Sequence, residues 1–230
     1  MIITLDGPTA SGKSTIAQRV AQKKNYFCLC TGFLYRGLAY KARVMGYNER
    51  TLDQMLRERY EEFFDLTNML YHYDRESGVL IFVDGQDVTA AVDVPDIGII
   101  ASVLGTYQSV RSVLGMMQHA IAGSWDNVIV DGRDAGSVVF PLADYKFFIT
   151  AAITVRAERW QKKQAKYGVI LSVGESEKLV VARDVRDADR SCDPLLIPDG
   201  AYVLDTSAMT IDDAVAWVEE KIDHCVGDNG

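Results

Sequence analysis

Apolar residues along the chain gather into short, nearly continuous runs, separated by longer stretches in which they recur every three or four positions. Runs at 2–5, 26–29, 127–130, 145–149 and 201–204 have the length of strands. In Val128-Ile129-Val130 and Phe147-Phe148-Ile149 every residue is apolar, as expected of strands covered on both faces. The intervening periodicity predicts helices over 96–104, 108–122, 154–166 and 173 to about 189. Strands alternating with helices in this way predict an α/β fold built on a five-stranded parallel sheet.

One stretch breaks the alternation. From about 63 to 92 the pattern becomes short strands and turns, with runs at 66–73 and 79–83 about the turn Asp74-Arg75-Glu76-Ser77-Gly78, then Asp84-Gly85 before a last short run. The reading is a small antiparallel insertion, with a surface hairpin of no further role as its alternative.

The first strand leads into Gly7-Pro8-Thr9-Ala10-Ser11-Gly12-Lys13-Ser14-Thr15, which fits G-x-x-x-x-G-K-[ST] and opens a helix carrying Ile16, Val20 and Ala21 on one face. In this context the pattern is a phosphate-binding P-loop. Its glycines let successive backbone N–H groups turn inward around a polyphosphate, Lys13 places a charge on the β and γ phosphates, and the helix N-terminus faces the same anion. Residues 7–15 are therefore candidates to bind Mg-ATP or Mg-GTP, with the hydroxyl of Ser14 as candidate Mg²⁺ ligand. A tight strand-to-helix turn without a ligand is the plain alternative.

Composition narrows the class. A chain of 230 residues suits one domain with a small insertion, and repeats and low-complexity segments are absent. The formal net charge of −8 argues against a broad basic face for nucleic acid. No apolar run approaches the roughly 20 residues of a membrane span, and a signal-peptide pattern is lacking at the amino terminus, so the expectation is a cytoplasmic protein acting on a small molecule. Cys28, Cys30, Cys192 and Cys225 form neither a C-x-x-C pair nor a cluster at zinc spacing, and they read as reduced thiols, with Cys28 and Cys30 on one strand face.

A GTPase would carry a base-reading N-K-x-D sequence, and the chain has none. An ATPase motor would usually close a buried strand with an acidic pair, whereas here Val128-Ile129-Val130 runs into Asp131-Gly132-Arg133-Asp134. Arginine beside that carboxylate suits a second bound phosphate. Phosphoryl transfer between two anions needs several convergent cations, and Arg36, Arg133, Arg156, Arg159, Arg183, Arg186 and Arg190 lie at strand ends or on two late helices.

Three blocks together resemble bacterial cytidylate kinases: Thr31-Gly32-x-x-Tyr35-Arg36; Asp131-Gly132-Arg133-Asp134-x-Gly136-x-Val138-Val139-Phe140-Pro141; and Arg183-Asp184-x-x-Asp187-x-x-Arg190. The likeness spans nearly the whole chain. It implies a P-loop three-layer fold with core segments 1–32, 123–155 and 195–230, a monophosphate-binding region near 33–122 holding the insertion, and a helical lid near 156–190. The implied reaction transfers the γ-phosphate of ATP to CMP or dCMP, in a monomer that binds neither nucleic acid nor membrane. Ser102, Arg111 and Asp134 match the family's cytosine readers. Arg36, Arg133 and Arg190 would hold the acceptor phosphate, with Thr31 beside it or the base. Arg183 and Asp187 would engage the sugar, and Arg156 and Arg159 would close on the ATP phosphates. Lys13, Arg133, Arg156, Arg159 and Arg190 are thus the implied catalytic set.

The chain departs from the family pattern at three places. Cys30 stands where an aspartate is usual, Trp160 where a second arginine is common, and Ser191-Cys192-Asp193 brings an extra negative charge beside Arg190. A thymidylate, adenylate or shikimate-type kinase and a nucleotide-binding regulatory module without transfer activity are the competing readings.

Overall fold

The structure, a computed structural model, describes residues 1–226, and it describes the last three by backbone alone, so the side chain of Cys225 lies outside the described residues. The first half of the chain forms β1 (Ile2–Asp6), α1 (Lys13–Lys24), β2 (Phe27–Cys30), α2 (Thr31–Val44), α3 (Leu52–Glu58) and α4 (Tyr60–Phe64). The hairpin strands β3 (Met69–Asp74), β4 (Gly78–Val83) and β5 (Gln86–Asp87) follow, then α5 (Thr89–Val92), α6 (Pro95–Leu104) and α7 (Gln108–Ala122). The second half adds β6 (Val128–Asp131), a π-helical turn over Ala135–Val139, β7 (Tyr145–Thr150), α8 (Ile153–Ala165), α9 (Val173–Asp189), β8 (Tyr202–Asp205) and α10 (Ile211–Val226).

Five parallel strands in the order β2-β6-β1-β7-β8 make the main sheet. β1, β6 and β7 occupy its middle, which is why they are rich in apolar residues: Ile3, Leu5, Val128, Ile129, Val130, Phe147 and Ile149 are all fully buried between helical layers. Register aligns Leu5 and Cys30 with Asp131, so the P-loop, Thr31 and the segment after β6 emerge side by side at the carboxyl edge, where such sheets bind ligands.

The second sheet is antiparallel, in the order β3-β4-β5. It is narrower than the sequence pattern implied, because Phe63 and Phe64 close α4 and residues 89–92 form the turn of α5. The insertion is fastened to the main sheet by Tyr71, whose hydroxyl donates to the carbonyl of Cys28 and accepts from the amide of Cys30, both at 2.8 Å. This contact covers part of the outer edge of β2, an edge that otherwise offers unpaired backbone groups. Cys28 and Cys30 share one buried face of β2 with their sulfurs 3.6 Å apart.

Two helices that carry the arginines are set by local chemistry. Ser172 and Glu175 form a reciprocal capping box at the start of α9, with Ser172 Oγ accepting from the Glu175 amide at 3.2 Å and Glu175 Oε2 from the Ser172 amide at 2.7 Å. Gln161 of α8 donates to the carbonyl of Leu171 at 2.6 Å, tying α8 to the loop that begins α9. Among the described residues no single helix is long and apolar enough to cross a membrane.

Candidate active site

At Gly7 the chain leaves β1 with φ of 148°, and an added Cβ would come 2.0 Å from the carbonyl oxygen of Ile149 on the neighbouring strand. Only glycine lets the loop start this close to β7. Ala10 takes a left-handed conformation at φ 60°, and Thr9, Ser11 and Lys13 are buried. Ser14 and Thr15 are exposed at the first turn of α1. Asp6, fully buried, holds the opposite wall: its carboxylate accepts from the amides of Ala135 and Gly136 at 2.8 and 2.7 Å. Burial pushes that carboxyl up to about 7. At Gly136 a Cβ would stand 2.5 Å from Thr4 Oγ1, so this amide reaches Asp6 only because it carries no side chain.

Lys13 Nζ donates to the carbonyl of Pro8 at 3.1 Å. Burial, then the charge of Arg133, then that of Arg183 among other neighbours brings its ammonium down to about 7, with Asp131 acting the other way. Arg183 is itself brought down to about 10 by burial and by Arg133, with Arg36 adding to the repulsion. Lys13, Arg133 and Arg183, from the P-loop, the segment after β6 and α9, therefore lie within electrostatic reach of one another, with Arg36 of α2 at the margin. Such an arrangement costs energy without an anion to occupy it.

Carboxylates stand among these cations. Arg133 donates through Nε to Asp187 at 2.9 Å, through Nη1 to the carbonyl of Gly7 at 3.1 Å and through Nη2 to Thr9 Oγ1 at 3.3 Å. Arg183 Nε is buried with no hydrogen-bond partner among the described residues, and so is Asp131 Oδ1. Thr31 Oγ1 donates to the carbonyl of Asp131 at 2.9 Å, which holds the start of α2 against the end of β6. Arg36 points instead toward the carbonyls of Val92 and Val94, at 2.6 and 3.4 Å, with Asp93 at 3.6 Å.

A second cluster lies beside the first. Arg111 pairs with Asp134 and, at 2.6 Å, with Asp193, while Nη1 donates to the carbonyl of Gly105 at 3.3 Å. Arg190 Nη2 stands 3.2 Å from the other oxygen of Asp134. Arg190 thus contacts this group while staying within electrostatic reach of Asp187 in the first. Tyr35 adjoins it, its phenol pushed up to about 12 chiefly by burial. Ser102 accepts from Arg186 Nη1 at 2.8 Å.

Arg156 and Arg159, one turn apart on α8, reach the back of the P-loop. Arg156 donates to the carbonyl of Thr9 at 3.1 Å and pairs with Asp184, which accepts from the amide of Thr9 at 2.8 Å. Arg159 donates to the carbonyl of Ser11 at 3.1 Å and to Thr206 at 2.9–3.0 Å.

The structure therefore brings Lys13, Arg133, Arg183 and Asp187 to one place and Arg111, Asp134 and Arg190 to its neighbour, while Arg36 is turned to Val92 and Val94 and Ser102 to Arg186. Sequence reasoning did not single out Asp6, Asp184 or the pairing of Arg186 with Ser102. The strand-end position of Asp6, immediately before the P-loop glycine, was a usable signal for the first. For the other two, helical spacing left several exposed alternatives equally good.

A sequence model described as cytidylate kinase matches residues 3–224. Among curated proteins, a cytidylate kinase of Streptococcus pyogenes serotype M5 (strain Manfredo) is 32% identical over 97% of this chain and 96% of its own length. One from Polynucleobacter necessarius subsp. necessarius (strain STIR1) is 36% identical over 94% of this chain and 96% of its own. Among solved structures, an uncharacterized protein from Eubacterium ventriosum ATCC 27560 shares the fold, with a TM-score of 0.50 at 13% identity, covering 97% of this chain and 98% of that one.

Proposed function

From the premise that this chain belongs to the cytidylate kinase family, we propose that it transfers the γ-phosphate of ATP to CMP and dCMP with the two residue clusters described above. It is a nucleoside monophosphate kinase acting on CMP, and the assignment of each residue's part is what the proposal adds.

The observation that carries the reading is the convergence of Lys13, Arg133 and Arg183 at the carboxyl edge of the sheet, with the charge of Lys13 and Arg183 already disfavoured. Two phosphate groups meeting in line supply the missing negative charge. In the proposal the P-loop amides of residues 7–15 and Lys13 hold the donor phosphates, while Arg36 and Arg133 hold the acceptor phosphate. Arg183 and Asp187 flank the sugar and phosphate from α9. Arg156 and Arg159 fix the loop from behind and complete the donor side. The acceptor phosphate is already an anionic nucleophile at neutral pH, so its oxygen attacks the γ-phosphorus and ADP leaves without a general base. Catalysis is then positioning and electrostatics.

Ser14 and Asp131 fit a Mg²⁺ that takes most of its ligands from phosphate and water. The buried Asp131 Oδ1 has no hydrogen-bond partner among the described residues, and Asp131 lies within electrostatic reach of Lys13. When bound, the ion neutralises charge on the β and γ phosphates.

Cytosine offers an exocyclic amine, a ring carbonyl and an unprotonated N3. Asp134 and Ser102 are assigned to accept from the amine and Arg111 to donate to the other two. The proposed chemistry asks for no residue from a second copy of the chain, and the proposal is a monomer. A cytoplasmic location completes the proposal, since ATP and CMP are held inside cells.

The test is Arg183→Ala alongside Arg133→Ala. Removing one donor aimed at developing charge typically costs roughly 10²–10³ in rate. A loss of that order in kcat, with an unchanged melting temperature, supports the reading. Near-normal kcat in both variants would refute it.

A further inference from the structure

Beyond α9 the chain turns back on the site. The amide of Leu195 donates to the carbonyl of Asp187 at 2.8 Å, and Asp193 takes a left-handed conformation at φ 47°, unusual for a residue other than glycine though more accessible to aspartate than to most. That turn aims Asp193 inward. Its Oδ2 accepts from Arg111 Nε at 2.6 Å, and its own carbonyl accepts from Arg190 Nε at 2.6 Å.

Both arginines also face Asp134, Arg111 on one oxygen and Arg190 on the other. Asp193, Arg111, Asp134 and Arg190 therefore close a ring in which Arg111 is hydrogen-bonded to both carboxylates and Arg190 is hydrogen-bonded to the Asp193 carbonyl and ion-paired with Asp134. Arg111 is only 4% exposed through its side chain, so its plane is set by these partners and by Gly105, not by water. A guanidinium has five N–H donors. Asp193, Gly105 and Asp134 engage one each, which leaves two for a ligand.

We propose that Asp193 is a positioning residue of the base pocket, holding Arg111 by its carboxylate and Arg190 by its backbone carbonyl so that Asp134 is left able to accept from the exocyclic amine of cytosine. This rests on the reading of Arg111 and Asp134 as base readers. Without Asp193, Asp134 would be the only carboxylate for Arg111, and the incoming amine would compete with that pairing. Fixing Arg111 also sharpens discrimination. Cytosine N3 accepts a hydrogen bond, whereas uracil N3 carries a proton, so a donor held in place favours cytosine and one free to swing away does not.

The test compares KM and kcat for CMP, UMP and ATP in Asp193→Gly, Asp193→Asn and Arg111→Ala. Glycine suits the left-handed backbone and removes the carboxylate, so an intact melting temperature separates a site effect from a folding effect. Asparagine tolerates the same backbone and keeps one accepting oxygen. The expected result for Asp193→Gly is a roughly tenfold rise in KM for CMP and a roughly fivefold or greater loss of preference for CMP over UMP, with KM for ATP held within about twofold. Asp193→Asn should recover much of both. If Arg111→Ala abolishes the preference while Asp193→Gly changes neither KM nor preference, Asp193 has no positioning role although the base pocket stands. A lower KM for CMP in Asp193→Gly would also overturn the proposal, by showing that Asp193 competes with the substrate for Arg111. If Arg111→Ala leaves the preference intact, the base-pocket reading fails and takes this proposal with it.

Discussion

Lys13 folds back to donate to the carbonyl of Pro8 at 3.1 Å, so the cation proposed to meet the donor phosphates spends the free state on its own loop. Burial and the nearby arginines bring it down to about 7. Phosphate replaces a carbonyl dipole by full negative charge, which restores the ordinary lysine value. The sign follows: above pH 7 free Lys13 is mostly neutral and nucleotide binding takes up a proton, whereas below pH 6 it is already charged. Calorimetry of Mg-ATP binding in buffers of different ionisation enthalpy should show uptake of about one proton at pH 8.5. Uptake near zero at that pH would mean that Lys13 is charged in the free enzyme.

Asp134 faces both Arg111 and Arg190, and its substitution by alanine leaves two buried cations short of a partner as well as removing an acceptor for cytosine. Asp134→Ala should lower kcat/KM for CMP by roughly a hundredfold and hardly move KM for ATP. Equal losses for both substrates would take Asp134 out of the base pocket.

Asp93 bridges the α8 side of the site and Arg36 of α2. Its carboxylate accepts from Lys163 at 2.9 Å and from the Tyr167 hydroxyl, both on the α8 side, and stands 3.6 Å from Arg36 on the acceptor side. Asp93→Ala should loosen closure over the substrates. The expected signs are a roughly fivefold rise in KM for CMP and more ADP formed than CDP, since water reaches an imperfectly closed site. One ADP per CDP with an unchanged KM would make the contact peripheral.

Gly7 meets the backbone of Ile149, and Gly7→Ala would force a Cβ to 2.0 Å from its carbonyl oxygen. β1 and β7 cannot separate without opening the middle of the sheet. A destabilisation of about 2 kcal/mol or more is expected, a fall of about 4–8 °C in Tm, together with loss of ATP binding. A variant that melts like the parent would show that the loop can shift as a unit.

Elements with one strong local signal were legible in the sequence. β6 and β7 announced themselves through the apolar runs 128–130 and 147–149, α9 ends at Asp189 as its periodicity implied, and the P-loop carried its own context. Short elements were less so. α3 and α4 have two turns or fewer, too little for a period to show against the polar residues around them, and α4 was absorbed into the expected strand region. The site divides in the same way. Lys13 and Arg133 could be placed because a strand ends just before each motif. The turn of Arg36 toward Val92 and Val94, and the ring closed by Asp193, depend on contacts between segments distant in sequence.

The central claim is that this chain phosphorylates cytidine monophosphates, and the most direct measurement is the initial rate of ADP formation from Mg-ATP with CMP, dCMP, UMP, dTMP, AMP, GMP and shikimate as acceptors. Turnover with CMP and dCMP is expected, with kcat/KM above that for UMP by roughly 5- to 150-fold. A different preferred acceptor, or no turnover with any of them, would contradict it.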